Sequence, residues 1–154
     1  MPVGYVWRLL LAAALGAAVG LEREYRQKPA GLRTNILIAV GSALFTILSI
    51  AVAREGADPA RITAQIVTGI GFLGGGAIMR YQDTVHGMTT AATIWVNAAI
   101  GVAAGSGENA LASFTTALTL VVLIVLPPIE TYFERRAGWP NHHRRSTDKP
   151  GPLG

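Results

Sequence analysis

The sequence predicts an all-α fold: a polytopic bundle of transmembrane helices with five spans, the N-terminus out and the C-terminus in. Three observations carry this. Of 154 residues, 51% are hydrophobic and 14% charged, with a mean hydropathy of +0.40, a balance of membrane rather than soluble domains. Five apolar runs divide the chain, each near the roughly 20 residues that a spanning helix needs. Thirteen Lys and Arg residues fall mostly between or after those runs, as the positive-inside rule requires.

The first run, Val3 to Leu21, has the apolar body and small residues of a cleavable leader. Its charged flank follows the apolar stretch instead of preceding it, so it is expected to remain as the first helix. The second, Leu32 to Ala53, is long enough to span. The third, Ile62 to Met79, is slightly short and opens after Asp58-Pro59, an expected N-cap with proline at the first helical position. The fourth, Thr89 to Ala104, covers only about 24 Å of a ~30 Å hydrocarbon core and is the span in doubt; Thr89 or Thr90 is its expected cap. The fifth, Ala110 to Leu126, follows Ser106 and Glu108 as capping residues and is expected to close at Pro127-Pro128. These limits give a transmembrane domain over 1–128, an interfacial amphipathic segment over 129–140 with Tyr132, Phe133 and Trp139 at headgroup level, and a disordered polar tail over 141–154.

Orientation follows from charge. With the N-terminus out, ten basic residues lie inside (Arg23, Arg26, Lys28, Arg33, Arg80, Arg135, Arg136, Arg144, Arg145 and Lys149) against Arg8, Arg54 and Arg61 outside. This distribution accounts for the net charge of +4 without a nucleic-acid partner; the partner it implies is the lipid bilayer.

The motifs narrow the chemistry. Gly69 to Gly74, GIGFLG, matches G-x-G-x-x-G, but it lies inside an apolar run with no preceding strand and no acid about 20 residues on, so no dinucleotide site is expected. Absence of cysteine removes disulfides, thiolate metal sites and cysteine nucleophiles. The histidines are His86, His142 and His143, two of them in the tail, so no catalytic constellation, and hence no enzyme and no cofactor, is expected. Gly16 and Gly20, and Gly71 and Gly75 with Ala64 and Thr68 alongside, form small-residue faces. In lipid such faces let helix backbones approach, so the first and third helices are expected to pack, within one chain or between copies. Asn97, mid-span, must face the bundle interior or a wet cavity.

The stretch Gly20 to Thr34, GLEREYRQKPAGLRT, concentrates charge between two spans. Glu22 with Arg26 and Glu24 with Lys28 stand at i,i+4, and on a continued helix each pair stabilises by about 0.2–0.5 kcal/mol. Pro29 stops that helix and Gly31 turns the chain. Glu22 falls at the edge of the hydrocarbon and needs a basic partner, Arg26, Arg33 or Arg80, or a bound cation. The candidate polar cluster is Glu22, Arg23, Glu24, Arg26, Arg33, Asp83, Thr90 and Asn97.

Three blocks in order, GLEREYRQKPAGLRTNILIAVGSALFT, DPARITAQIVTGIGFLGGGAIM and VHGMTTAATIWVNAAIG, resemble the membrane domain of the MgtC/SapB family over Arg8 to Leu126. The resemblance implies a multi-pass bacterial inner-membrane protein linked to magnesium homeostasis and virulence. It implies a regulator, with the F-type ATP synthase as the family's precedent for a membrane-protein partner. The family's charged block matches at Glu22, Arg23, Glu24, Arg26, Gly31, Leu32, Arg33 and Thr34, and its later blocks at Gly69, Gly71, Phe72, Leu73, Gly74, Gly87, Thr90, Ala91, Ala92 and Trp95. Two departures stand out: His86 where many relatives carry arginine, and only Glu130 to Gly154 where longer members append a soluble domain. Three readings follow: a regulator acting through helix contacts, a homo-oligomeric cation transporter or channel subunit for Mg²⁺ or protons, and, last, a membrane enzyme. Glu22→Ala is expected to harm function more than Glu24→Ala; equal and negligible losses in the two variants would reduce the charged stretch to a topological anchor.

Overall fold

A computed structural model describes residues 3–53, 58, 60–81 and 84–137. It contains α1 (Val3–Tyr25), α2 (Leu32–Ala53), α3 (Arg61–Gly76), a hairpin of β1 (Met79–Tyr81) and β2 (Thr84–His86), α4 (Met88–Ser106) and α5 (Asn109–Ala137). By contact the chain divides into two units, Met1–Leu120 and Val121–Gly154.

The apolar runs become helices because a bilayer core offers no partner for backbone N–H and C=O groups. Four of them, α1, α2, α4 and α5, are long and apolar enough to cross a membrane, and the chain is a multi-pass membrane protein. The doubt over length falls on a different helix than expected. Glycines in the left-handed region at Gly87 (φ 89°) and Gly107 (φ 93°) bound α4, extending it to 19 residues, whereas α3 has 16 and rises only about 24 Å.

In the first unit the packing is built on α2. Each side chain on α1 that faces inward, from Ala12 through Gly16, Val19 and Gly20 to Arg23, is buried. A Cβ at Gly16 would stand 2.8 Å from Ala39 Cβ and from the Asn35 carbonyl oxygen, and one at Gly20 2.7 Å from Leu32 Cα, so α1 runs antiparallel along α2. Helix α2 meets α4 in parallel on a face that adjoins the α1 contact and shares Ala39 with it: a Cβ at Gly105 would stand 2.6 Å from the Ala43 carbonyl oxygen, and one at Gly101 would strike that of Ala39. The close approach of α1 is therefore to α2 and not to α3, and the expected α1–α3 pairing inside one chain is corrected. Around Gly71 and Gly75 a Cβ meets no atom within 4 Å; α3 instead lies antiparallel on α4, with Gly74 near Ala91 and Ile66 and Ile70 joining Ile38, Ile94 and Ala98 in one apolar cluster.

Several boundaries differ from the sequence expectation. The hairpin was not foreseen, since three-residue strands carry too little alternation to register; Met79 pairs with His86, Arg80 with Val85 and Tyr81 with Thr84. Neither Thr89 nor Thr90 caps α4, whose N-cap is Gly87. Asp58 Oδ1 accepts the Ala60 N–H at 2.9 Å, but Ala60 is the N-cap of α3. Ser106 donates to the Val102 carbonyl within α4, while the Glu108 carbonyl accepts the Ala112 N–H in the first turn of α5. Pro127 and Pro128 lie inside α5, which continues through both although each removes an N–H and crowds the carbonyl four residues back. The second unit holds the remainder of that helix, where Tyr132 and Phe133 meet edge to face at 5.8 Å. Trp139 and the tail over 141–154 lie outside the described residues.

Gly101→Ala and Gly105→Ala are expected to destabilise the bundle by about 1–3 kcal/mol each, since the added methyl meets backbone that cannot rotate away. Gly71→Ala and Gly75→Ala should leave it unchanged or slightly more stable. Thermal unfolding in detergent, followed by circular dichroism, separates the two pairs.

Candidate functional site

The candidate residues gather at one end of the first unit, where α1 ends and α2 and α4 begin. Helix α1 closes with paired reverse bonds: the Lys28 N–H reaches the Arg23 carbonyl at 2.9 Å and the Gln27 N–H that of Glu24 at 3.0 Å. Gln27 takes the left-handed conformation (φ 53°) that glycine usually supplies at this position. The helix therefore ends at Tyr25, before Lys28, and the expected Glu24–Lys28 pair across a helical turn does not form.

Closure there turns the charged side chains back on one another. Glu22 receives Arg23 Nε at 2.6 Å and Nη2 at 3.1 Å, and Arg26 Nε at 2.8 Å. Only 4% of the Arg23 side chain and 7% of Glu22 are exposed, against 33% for Arg26. A buried carboxylate thus has two guanidinium groups on it. Arg23, its neighbour in sequence, takes the place for which Arg33 and Arg80 were candidates. Arg33 is exposed on the first turn of α2.

Glu24 does separate work. Its Oε2 accepts the N–H of Leu32 at 3.1 Å, placing negative charge at the positive end of α2. A side chain at Gly31 would fall on that carboxylate, so glycine here leaves room for the acid that caps the next helix.

Below the turn lie two buried carboxamides. Asn35 Nδ2 donates to the carbonyl of Ala30, itself left-handed at φ 58°, and to that of Gly31 at 3.0 Å. Asn97 Nδ2 donates to the Asn35 carbonyl at 2.6 Å, tying α4 to α2. Both side chains are fully buried, and neither Oδ1 accepts a hydrogen bond. Buried acceptors of this kind suit a donor such as water, or a cation. Among the described residues no group of three His, Asp or Glu side chains is placed to hold a metal ion. Thr90 is buried on the first turn of α4, and Thr93 donates to the Thr89 carbonyl of its own helix at 2.7 Å. Asp83 lies outside the described residues.

The sequence reading passed over Asn35, although it interrupts an apolar run as Asn97 does. It also passed over the third G-x-x-x-G, Gly101 to Gly105, and counted Arg8 only for its charge, whereas its Nη1 donates to the Gly105 carbonyl at 2.9 Å at the far end of α4. All three signals were present as spacing or as polarity within apolar sequence.

A family model described as the MgtC family matches residues 9–132. The uncharacterized protein slr0014 of Synechocystis is 46% identical over 84% of this chain and 55% of its own length. YhiD, a candidate magnesium transporter of Escherichia coli K12, is 47% identical over 81% of this chain and 61% of its own. Protein MgtC of Salmonella typhimurium is 49% identical over 78% and 52%. The chain thus spans between half and three-fifths of the length of these curated relatives. No solved structure matches it.

Glu22→Gln leaves Arg23 buried without its counter-charge and is expected to cost about 3–5 kcal/mol. Glu24→Gln, which weakens an exposed helix cap, should cost about 1 kcal/mol, and Glu22→Gln with Arg23→Met should recover most of the first loss. Unfolding midpoints in detergent report all three.

Proposed function

The chain belongs to the MgtC family, and on that footing we propose that it is a non-enzymatic protein of a bacterial inner membrane that regulates magnesium or ion homeostasis through helix contacts with other membrane proteins. The observation that carries this reading is the outward face of α3. Ala64, Thr68, Gly71 and Gly75 fall within about 60° of one another around the helix axis, and all four are exposed. Inside a bilayer a smooth face of this kind favours a second helix over lipid by allowing close backbone contact. Gly16, Gly20, Gly101 and Gly105 are already occupied by α2, whereas this small-residue face is open to a partner or to a second copy.

Topology supports the same setting. Arg23, Arg26, Lys28 and Arg33 lie at the α1–α2 turn and Arg80 in the hairpin, all at one end of the first unit, while Arg8 reaches the opposite end. With α3 as a short crossing, the positive-inside rule assigns the basic end to the cytoplasm, giving five spans with the N-terminus out and the C-terminus in.

A second reading, a cation path for Mg²⁺ or protons, draws on the unpartnered buried Oδ1 atoms of Asn35 and Asn97. The polar groups of one chain are few, so such a path would form between copies.

Crosslinking in native membranes followed by mass spectrometry tests the first reading: a recurrent membrane-protein partner is expected, and its capture should be lost in Gly71→Leu and Gly75→Leu variants that remain folded. Unchanged capture in both variants would overturn it. Protein-dependent uptake of Mg²⁺ into reconstituted vesicles, abolished by Asn97→Leu, would establish the second instead.

A further inference from the structure

A groove of about 970 Å³ opens between α2 and α3. Ile38, Ile66 and Ile70, members of the apolar cluster, form its floor, and the exposed rings of Phe45 and Phe72 flank it. Gly41 and Gly69 line it as well, and a Cβ built at either meets no atom within 4 Å. This face of α3 is distinct from the small-residue face. Around the axis, Gly69 and Leu73 stand well over 90° from Gly71 and Gly75.

We infer that the groove holds an acyl chain of an anionic glycerophospholipid, with its headgroup at the end marked by Arg33. Length argues for a lipid tail over a helix. At 1.5 Å per residue the groove runs about 16 Å along α2, from Thr34 to Phe45, and about 21 Å along α3, from Ile62 to Gly76. A crossing helix needs about 30 Å, and one leaflet supplies about half that. Charge argues for the headgroup. Thr34 and Ala77 line the groove at the end where Arg33 is exposed on the adjacent position and Arg80 is exposed three residues beyond Ala77. Basic residues at that depth attract phosphate, and guanidinium pairs with it through charge-assisted hydrogen bonds. An unfilled apolar groove forfeits dispersion contacts that a flexible chain restores. The assignment needs only the membrane setting and stands apart from the partner reading.

The test is native mass spectrometry of the detergent-solubilised chain with added phosphatidylglycerol or phosphatidylcholine. One retained phosphatidylglycerol per chain is expected, preferred over phosphatidylcholine by about fivefold for each contributing arginine. Arg33→Gln should erase part of that preference while leaving an acyl chain bound. Gly41→Leu with Gly69→Leu, which puts two side chains into the groove from positions where an added Cβ meets no atom within 4 Å, should abolish retention. Equal retention of both lipids by the wild-type chain, or undiminished retention by the filled variant, overturns the inference. An independent arm uses the cysteine-free background: Phe45→Cys alone is expected not to form a disulfide between copies in native membranes. Efficient crosslinking there would assign the groove to a second copy of the chain and overturn the lipid reading.

Discussion

The contact on which the first unit depends is the parallel approach of α2 and α4. Water drives soluble helices together by expelling apolar surface, but lipid tails are as apolar as leucine, and helices in a bilayer gain only what close packing and hydrogen bonds supply. Gly101 and Gly105 remove the side chains that would hold α4 off the carbonyl oxygens of Ala39 and Ala43. The same four-residue step carried one turn further sets Asn97 against the Asn35 carbonyl, so the spacing that permits close packing also aligns the interhelical hydrogen bond. Gly16 and Gly20 repeat the device where α1 meets α2, and the α1–α2 turn is held where its carbonyls can meet Asn35.

The charged turn then has two parts with different physics. Glu22 and Arg23 are buried together, and neither is tolerable there alone; the pair makes the edge of the bundle neutral apart from the surplus charge that Arg26 and its exposed neighbours carry. Glu24 lies outside this pair and bonds forward to α2, so adjacent acids of one helix act on different elements. What a sequence shows as alternating charge is, in space, an internal counter-charge and a helix cap joined by a left-handed residue.

Helix α3 contrasts with this. Among the described residues it is the shortest helix, rich in glycine, and it rests on α4 and α2 through Ile66, Ile70 and Gly74, leaving one side to the groove and another open. A helix with few buried contacts is the element most readily shifted by what binds beside it. Lipid in the groove and a helix on the small-residue face would both act on α3, which connects membrane composition to partner contact through one short element.

How much of this was legible before the fold was known depends on the range of each interaction. The five apolar runs, the pairing of Glu22 with Arg26, the family resemblance and the basic character of one end follow from composition and spacing, because bilayer thickness and the helical repeat act locally along the chain. Helix ends were less accessible: Gln27, Gly87 and Gly107 stop or start helices through backbone conformation, and α5 runs on through two prolines. Which glycine face meets which helix was not accessible at all. Gly16, Gly71 and Gly101 carry the same motif, yet Gly16 sets α1 against α2, Gly71 is open and Gly101 sets α4 against α2. Small residues state that a backbone can come close; only the tertiary arrangement, where each helix competes for the same few surfaces, decides whose.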